Sequence, residues 1–101
     1  MTSFRVIFQP EAIEQLEALE DYIAAEASPA IAAQYSDAII ESCNALRDFP
    51  HRGTLREDIR PGLRTISHRG RTIIVFSVGN ERVDIIGIFY GGQNWEATLT
   101  V

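Results

Sequence analysis

The 101-residue sequence contains no lysine, so all nine of its basic side chains are arginines. Residues 1–50 hold two arginines and nine acids, a charge of −7, whereas residues 51–101 hold seven arginines and five acids, a charge of +2. Arginine presents a planar, permanently charged fork that grips carboxylates and phosphates in a fixed geometry. The second half therefore predicts either a contact surface for an acidic partner or a set of solvated charges and local ion pairs.

Cysteine is also scarce, because Cys43 is the only one and no intrachain disulfide can form. It lies in a helical pattern with Ile39 and Leu46, which predicts a small buried hydrophobe. Two histidines 17 residues apart, with no cysteine pair, do not form a metal-ligand set. We therefore expect no metal and no cofactor.

Long apolar runs are missing as well. No run approaches the roughly 20 residues that a membrane span needs, and the apolar stretch 4–8 is too short for a signal peptide. A cytoplasmic protein without membrane contact is the expectation. The net charge of −5 also argues against direct binding to free nucleic acid, since phosphate contact is driven by positive fields.

Two amphipathic helices are predicted in the first half. After a short strand at residues 3–9, Pro10 suits the first position of a helix of about 16 residues. Its apolar stripe has helical spacing and consists of Ala12, Leu16, Leu19 and Ile23. Ser28 and Pro29 then predict the start of a second helix, which should stop near Asp48 because Pro50 follows.

The second half predicts a polar connection and three strands. Residues 50–62 form the connection, and the strands cover 63–67, 72–78 and 82–90, separated by short turns. In the last strand, strict alternation would put Val83, Ile85, Gly87 and Phe89 on one face. Trp95 and Leu99, in the tail, are available to pack back. The predicted fold is α+β, β-α-α-β-β-β, a single domain over residues 1–101 with a helical hairpin on a small, mainly antiparallel sheet.

Several landmarks occur in a characteristic order along this fold. They are the opening strand into Pro10, Tyr22-Ile23, Ser28-Pro29, Ala38 to Leu46, Phe49-Pro50-His51-Arg52-Gly53, Pro61-Gly62-Leu63-Arg64, Ile73 to Val78, and Val83 to Tyr90 followed by Gly91-Gly92-Gln93-Asn94-Trp95-Glu96. Together they resemble the RelE/ParE superfamily of bacterial toxins from type II toxin–antitoxin systems. The sequence departs from the family at Asn94, where an aspartate is commoner.

The resemblance implies one of two activities. RelE-like members are ribosome-dependent mRNA endoribonucleases, and ParE-like members are DNA gyrase inhibitors that block replication and act in plasmid stabilisation. Both imply a cognate antitoxin, here ParD-like, whose C-terminal segment wraps the toxin in a hetero-oligomer.

Proton-transfer chemistry distinguishes the two branches. RNA cleavage needs a base and an acid, and arginine can clamp phosphate but cannot act as the base. RelE-like sites place lysines and arginines on the sheet face, together with a tyrosine or histidine. This chain offers only His51, His68 and Tyr90, with both histidines in an expected loop or turn. The sequence therefore favours a ParE-like gyrase inhibitor with no catalytic residue. The alternatives are a RelE-like nuclease and a non-toxic interaction module.

Target binding is predicted on the arginine-rich strands. Arg64 matches the family's Pro-Gly-x-Arg pattern, and it either contacts the target or pairs with a helix acid such as Glu20 or Asp21. Arg60, Arg71 and Arg82 lie near strand ends and are predicted to join it in binding the target.

Antitoxin binding is predicted on the helical hairpin. A domain this small should leave an apolar groove that a partner helix can fill. The predicted lining residues are Ile13, Leu16, Ile31 and Tyr35. The acidic helices favour basic residues on the antitoxin.

Overall fold

A computed structural model describes residues 3–100. Its helices are α1 (Pro10–Glu26), α2 (Pro29–Asn44) and α3 (Trp95–Leu99), with a short 3-10 helix at Ala45–Arg47. Its strands are β1 (Arg5–Phe8), β2 (Thr54–Leu55), β3 (Leu63–His68), β4 (Thr72–Gly79) and β5 (Arg82–Tyr90). The predicted α+β architecture is confirmed, and β2 and α3 are additions to it. No helix within these residues is long and apolar enough to cross a membrane.

The two long helices begin where their first residues predict. Pro10 and Pro29 occupy first-turn positions, where the missing N–H costs no helical hydrogen bond. The Ser28 hydroxyl accepts the Ile31 N–H at 3.1 Å and caps α2. The α-helix ends at Asn44, and the 3-10 turn carries the chain to Asp48, the predicted stop.

The five strands form one sheet in the order β1-β5-β4-β3-β2. β1 runs parallel to β5, and every other neighbouring pair is antiparallel. The apolar strands β4 and β5 are central, as their composition predicts. β2 pairs with the edge of β3 inside the connection that the sequence predicted to be irregular.

The helical hairpin covers one face of the sheet. Ile39 and Leu46 are fully buried there, against Phe76 and Ile85 of the central strands. Cys43 lies in the same cluster, as predicted, and burial raises the pKa of its thiol to about 12. The thiol is therefore neutral and serves as a packing group.

The opposite face of the sheet carries a second apolar cluster. Leu63, Val75 and Phe89 form it with Trp95 of α3, and Leu99 packs at its edge. This confirms that the tail packs back. It also means that the consecutive residues Val75 and Phe76, both fully buried, serve opposite sides of one strand.

A β-bulge corrects the alternation predicted for the last strand. Val75 pairs with Gly87 but Phe76 pairs with Ile85, so Ile86 is the extra residue. After Ile86, each side chain of β5 lies on the face of the sheet opposite to the one that strict alternation predicts. As a result, Ile88 packs under the helical hairpin, and Phe89 packs on the opposite face. The Gln15 side chain of α1 accepts the Ile88 N–H at 2.7 Å, just after the bulge.

Gly87 is required by close packing beside this bulge. A Cβ there would lie 2.5 Å from Cε2 and 2.8 Å from Cζ of the buried Phe89 ring. We expect Gly87→Ala to lower the free energy of unfolding by about 1–3 kcal/mol, the usual cost of overpacking. Gly92→Ala is the matched control, because a Cβ at Gly92 meets nothing within 4 Å. Urea denaturation of both variants tests this, and equal losses would contradict it.

Candidate functional site

An acidic-rimmed groove runs along the helical hairpin beside the end of β1. Its volume is about 470 Å³. An apolar floor meets a rim of carboxylates from α1, and the lining residues are Phe8, Ile13, Leu16, Glu17, Glu20, Asp21, Ser36 and Ile40. A groove of this kind suits an apolar side chain flanked by basic ones.

The structure places only two of the four predicted antitoxin contacts in this groove. Ile13 is 45% exposed and Leu16 forms the floor. Ile31 is exposed in the first turn of α2 but does not line the groove. Tyr35 faces inward, where its hydroxyl shares a hydrogen bond of 2.7 Å with the buried Thr72.

The four predicted target-binding arginines do not form one patch. Arg82 pairs with Asp84 at 2.8 Å, and Arg60 donates to the Leu99 carbonyl at 3.3 Å. Arg71 immediately precedes β4, and Arg82 of β5 pairs with Gly79 at the other end of β4. At 3.3 Å per residue the two arginines are about 25 Å apart.

Arg64 has a structural contact other than the one predicted. It donates to the His51 carbonyl oxygen at 2.9 Å, and it forms no ion pair with Glu20 or Asp21. It thereby ties the β3 edge to the loop before β2.

Arg56 was not singled out from the sequence, yet it has the densest ion-pair contacts among residues 3–100. It bonds to Asp58 and Glu96, and its guanidinium lies 5.0 Å from the centroid of the Trp95 ring. Its hydrogen bond holds the pKa of the Asp58 carboxyl below the ordinary value. Arg56 therefore fastens α3 over the second apolar cluster. A long polar connection gives no periodic signal that would have revealed it.

Aromatic rings and arginines meet where β3, β4 and β5 approach the hairpin. The rings of Tyr22 and Tyr35 lie 6.0 and 6.1 Å from that of Tyr90, and Arg69 lies 5.8 Å from the Tyr35 ring. The backbone of Arg71 lies beside this group, because the N–H of Gly91, the residue after Tyr90, donates to the Arg71 carbonyl at 2.9 Å. We call Tyr22, Tyr35, Tyr90, Arg69 and Arg71 the arginine–tyrosine tip.

His68 is half-buried beside this tip, which corrects its expected place in a solvated turn. It ends β3, its ring lies 5.4 Å from that of Tyr35, and its Nδ1 shares a 3.2 Å hydrogen bond with the Ser42 hydroxyl. Its Nε2 is buried and has no hydrogen-bond partner within residues 3–100. Burial lowers the pKa of His68, and the neighbouring charge of Arg69 lowers it further.

The candidate proton-transfer groups do not converge on the sheet face opposite the hairpin. His68 and Tyr90 lie on the hairpin side, against Tyr35, and His51 is exposed in the loop before β2. The opposite face holds the apolar cluster of Leu63 and its neighbours instead. Within residues 3–100, no three His, Cys, Asp or Glu side chains are grouped to hold a metal ion.

Comparison with known proteins identifies the family. The model of the ParE toxin of the type II toxin–antitoxin system parDE matches residues 6–95. The chain belongs to the ParE toxin family. A structure of the chromosomal ParDE toxin–antitoxin system from P. aeruginosa is similar, with 22% identity and a TM-score of 0.76 over 88% of this chain and 97% of that one.

Two RelE-type structures share the fold of this ParE-family chain. The RelBE2 toxin–antitoxin complex from Mycobacterium tuberculosis has 22% identity and a TM-score of 0.61, covering 92% of this chain and 97% of that one. A double arginine-to-alanine mutant of E. coli RelE in the free state has 13% identity and a TM-score of 0.69, covering 98% and 95%. No functionally curated protein matches the sequence.

The lowered pKa of His68 predicts an acid-dependent loss of stability. The unfolded chain takes up a proton at an ordinary pKa of about 6.5, before the folded chain does. The stabilising contribution is therefore complete above that pH, and it is lost as the pH falls through the folded-state pKa. We expect His68→Gln to flatten the dependence of the free energy of unfolding on pH below about 6.5.

His51→Gln is the matched control because His51 is exposed in a loop. It should retain the pH dependence of the unchanged protein. Denaturant titrations at a series of pH values give the free energy of unfolding of all three proteins. Identical pH profiles for His68→Gln and the unchanged chain would overturn the assignment of this pH dependence to His68.

Proposed function

We propose that this ParE-type toxin inhibits growth by binding DNA gyrase and blocking replication. Its family membership supports this target, and the observation that carries the argument against RNA cleavage is the apolar cluster opposite the helical hairpin. RNA cleavage needs cations on the phosphate and a correctly placed acid and base. Leu63, Val75, Phe89 and Trp95 provide none of these.

The RelE-like alternative has less support from the geometry. It would require His68 to exchange a proton with bound RNA, but Nε2 is buried and Nδ1 is engaged by Ser42. Tyr90 packs between Tyr22 and Tyr35. Similarity to RelE structures at 22% identity or less reflects the shared fold and does not imply a shared reaction.

Target binding is proposed on Arg60, Arg64, Arg71 and Arg82, as predicted from the sequence. Of these, Arg71 has no hydrogen-bond or ion-pair partner for its side chain within residues 3–100. The side chains of the other three form hydrogen bonds to backbone carbonyls or an ion pair with a carboxylate. Because they lie along different edges of the sheet, contact with all four requires a large partner surface.

We propose that the acidic-rimmed groove binds the C-terminal segment of a ParD-like antitoxin. Ile13 and Leu16 offer an apolar floor, and the rim carboxylates of α1 favour lysine or arginine on the incoming helix. The ParDE and RelBE2 structures are of toxin–antitoxin systems, which supports a partner of this kind.

Synthesis rates in living cells test the target. When the chain alone is induced in a bacterium, we expect incorporation of labelled thymidine to fall first while labelled methionine continues to enter protein. The double variant His68→Gln/Tyr90→Phe should behave in the same way, because neither side chain performs a reaction in an inhibitor. Protein synthesis falling first, or loss of inhibition in a folded double variant, would replace the gyrase proposal with ribonuclease action.

A pair of matched variants tests the groove. Ile13 is 45% exposed inside it, and Leu55 is 46% exposed on the β2 edge outside it. We expect Ile13→Asp to weaken binding of the protein encoded beside the toxin gene by at least about tenfold, equivalent to ~1.4 kcal/mol. Leu55→Asp should bind as the unchanged chain does. Calorimetry measures both, and equal affinities would contradict the proposed site.

A further inference from the structure

One continuous part of the chain concentrates positive charge. From Ile59 to Asn80 it contains four arginines and one histidine but no aspartate or glutamate. The β3–β4 turn lies in the middle of this segment and contains Arg69 and Arg71, which are both exposed. Basic side chains are therefore concentrated around this turn, although the whole chain is acidic.

These two arginines are also available for a ligand. Within residues 3–100, Arg56 and Arg82 are the arginines that form ion pairs, and Arg60 and Arg64 bond to backbone carbonyls. Arg69 rests on the Tyr35 ring and leaves its guanidinium N–H groups without an acceptor in the described chain. An arginine held by stacking rather than by ion pairing keeps its hydrogen-bond donors free.

The surroundings of the turn are open to close approach. A Cβ placed at Gly70, Gly91 or Gly92 would meet nothing within 4 Å. The bond from the Gly91 N–H to the Arg71 carbonyl holds the turn and the loop after β5 side by side. A ligand backbone can therefore lie across both loops without displacing a side chain.

An exposed aromatic ring borders this surface. Tyr22 is 53% exposed and contacts Tyr90, which pairs across the sheet with Thr72, the residue after Arg71. The tip thus offers two cations for phosphates and one ring on which a base can stack. Such a pairing of arginine and aromatic side chains is typical of surfaces that bind single-stranded nucleic acid.

We propose that the arginine–tyrosine tip binds single-stranded DNA, with Arg69 and Arg71 on consecutive phosphates and a base stacked on Tyr22. Aspartate and glutamate side chains would also engage the arginines, but they do not stack on the Tyr22 ring, whereas every nucleotide carries a planar base beside its phosphate. The inference concerns the toxin's own contact with DNA and does not require gyrase as the target.

The net charge of −5, which argued against binding to free nucleic acid in general, limits the strength expected of this local DNA contact. Long-range repulsion from the helices makes the affinity modest and strongly dependent on salt. Glu26 follows Tyr22 by four residues on α1, so helical spacing puts its carboxylate next to Tyr22, where its charge opposes a bound phosphate. We therefore expect Glu26→Gln to tighten binding of the oligonucleotide. Measurable complexes should form only at low salt.

Fluorescence anisotropy of a labelled oligothymidine, titrated with the purified chain at several salt concentrations, tests the proposal. In Arg69→Gln/Arg71→Gln, the slope of log affinity against log salt should fall by roughly 1.4, since each contact to single-stranded phosphate contributes about 0.7. In Tyr22→Ala, affinity should fall by at least about fivefold with the slope unchanged, because stacking releases no counterions.

Arg5→Gln/Arg47→Gln is the matched control. It removes the same charge from two exposed arginines that line a different pocket, near the N-terminal end of β1. It should keep the salt slope and nearly all of the affinity. Three results would overturn the proposal: absence of binding at low salt, equal losses in both double variants, or binding of polyglutamate but not of the oligonucleotide. None of them bears on inhibition of DNA synthesis in cells, so gyrase action is judged separately.

Discussion

Burial of the central strand from both sides is the constraint on which the structure depends. Ile74, Val75 and Phe76 are consecutive and fully buried, and consecutive strand residues point to opposite faces. A single helical hairpin can cover only one face. The chain therefore needs a second cover, which α3 provides through Trp95, fastened by the stacked and ion-paired Arg56.

This second cover also determines what the opposite sheet face presents. Among the described residues, that face is occupied by the apolar cluster, and the cation above it, Arg56, is engaged by Trp95 and Glu96. The helical hairpin and the β3–β4 turn are the surfaces on which binding is proposed, and they carry opposite charges. The α1 side presents the carboxylate-rimmed groove, whereas the β3–β4 turn presents Arg69 and Arg71. Partners of opposite charge can therefore be bound on separate sides of a chain of 101 residues.

Most of the fold could be predicted from the sequence because its signals are local. The spacing from Ala12 to Ile23, the Ser28 cap and the apolar runs of β4 and β5 each determine their own element. The bulge at Ile86 could not be predicted in this way, because it depends on the fit between Gly87, the Phe89 ring and α1. β2 is only two residues long, and its pairing with β3 has no periodic pattern to reveal it.

The sites were less predictable because a side chain's partners come from distant parts of the chain. Ile13 could be placed in the groove from the helical pattern, whereas Tyr35 at similar spacing turns inward to Thr72. Among the arginines, local position gave no indication that Arg82 would pair with Asp84 or that Arg69 would rest on Tyr35.

Arg69 itself lies at a φ of 54°, in the left-handed region that non-glycine residues seldom occupy. Its neighbour Gly70 is also left-handed, at 69°, so two consecutive residues of this turn have positive φ, and the first of them is an arginine for which that backbone is unfavourable. Stacking on Tyr35, which is fixed by Thr72 and His68, compensates for this cost. The rigid aromatic support under Arg69 therefore orients a cation outward, as a surface for an anionic partner requires.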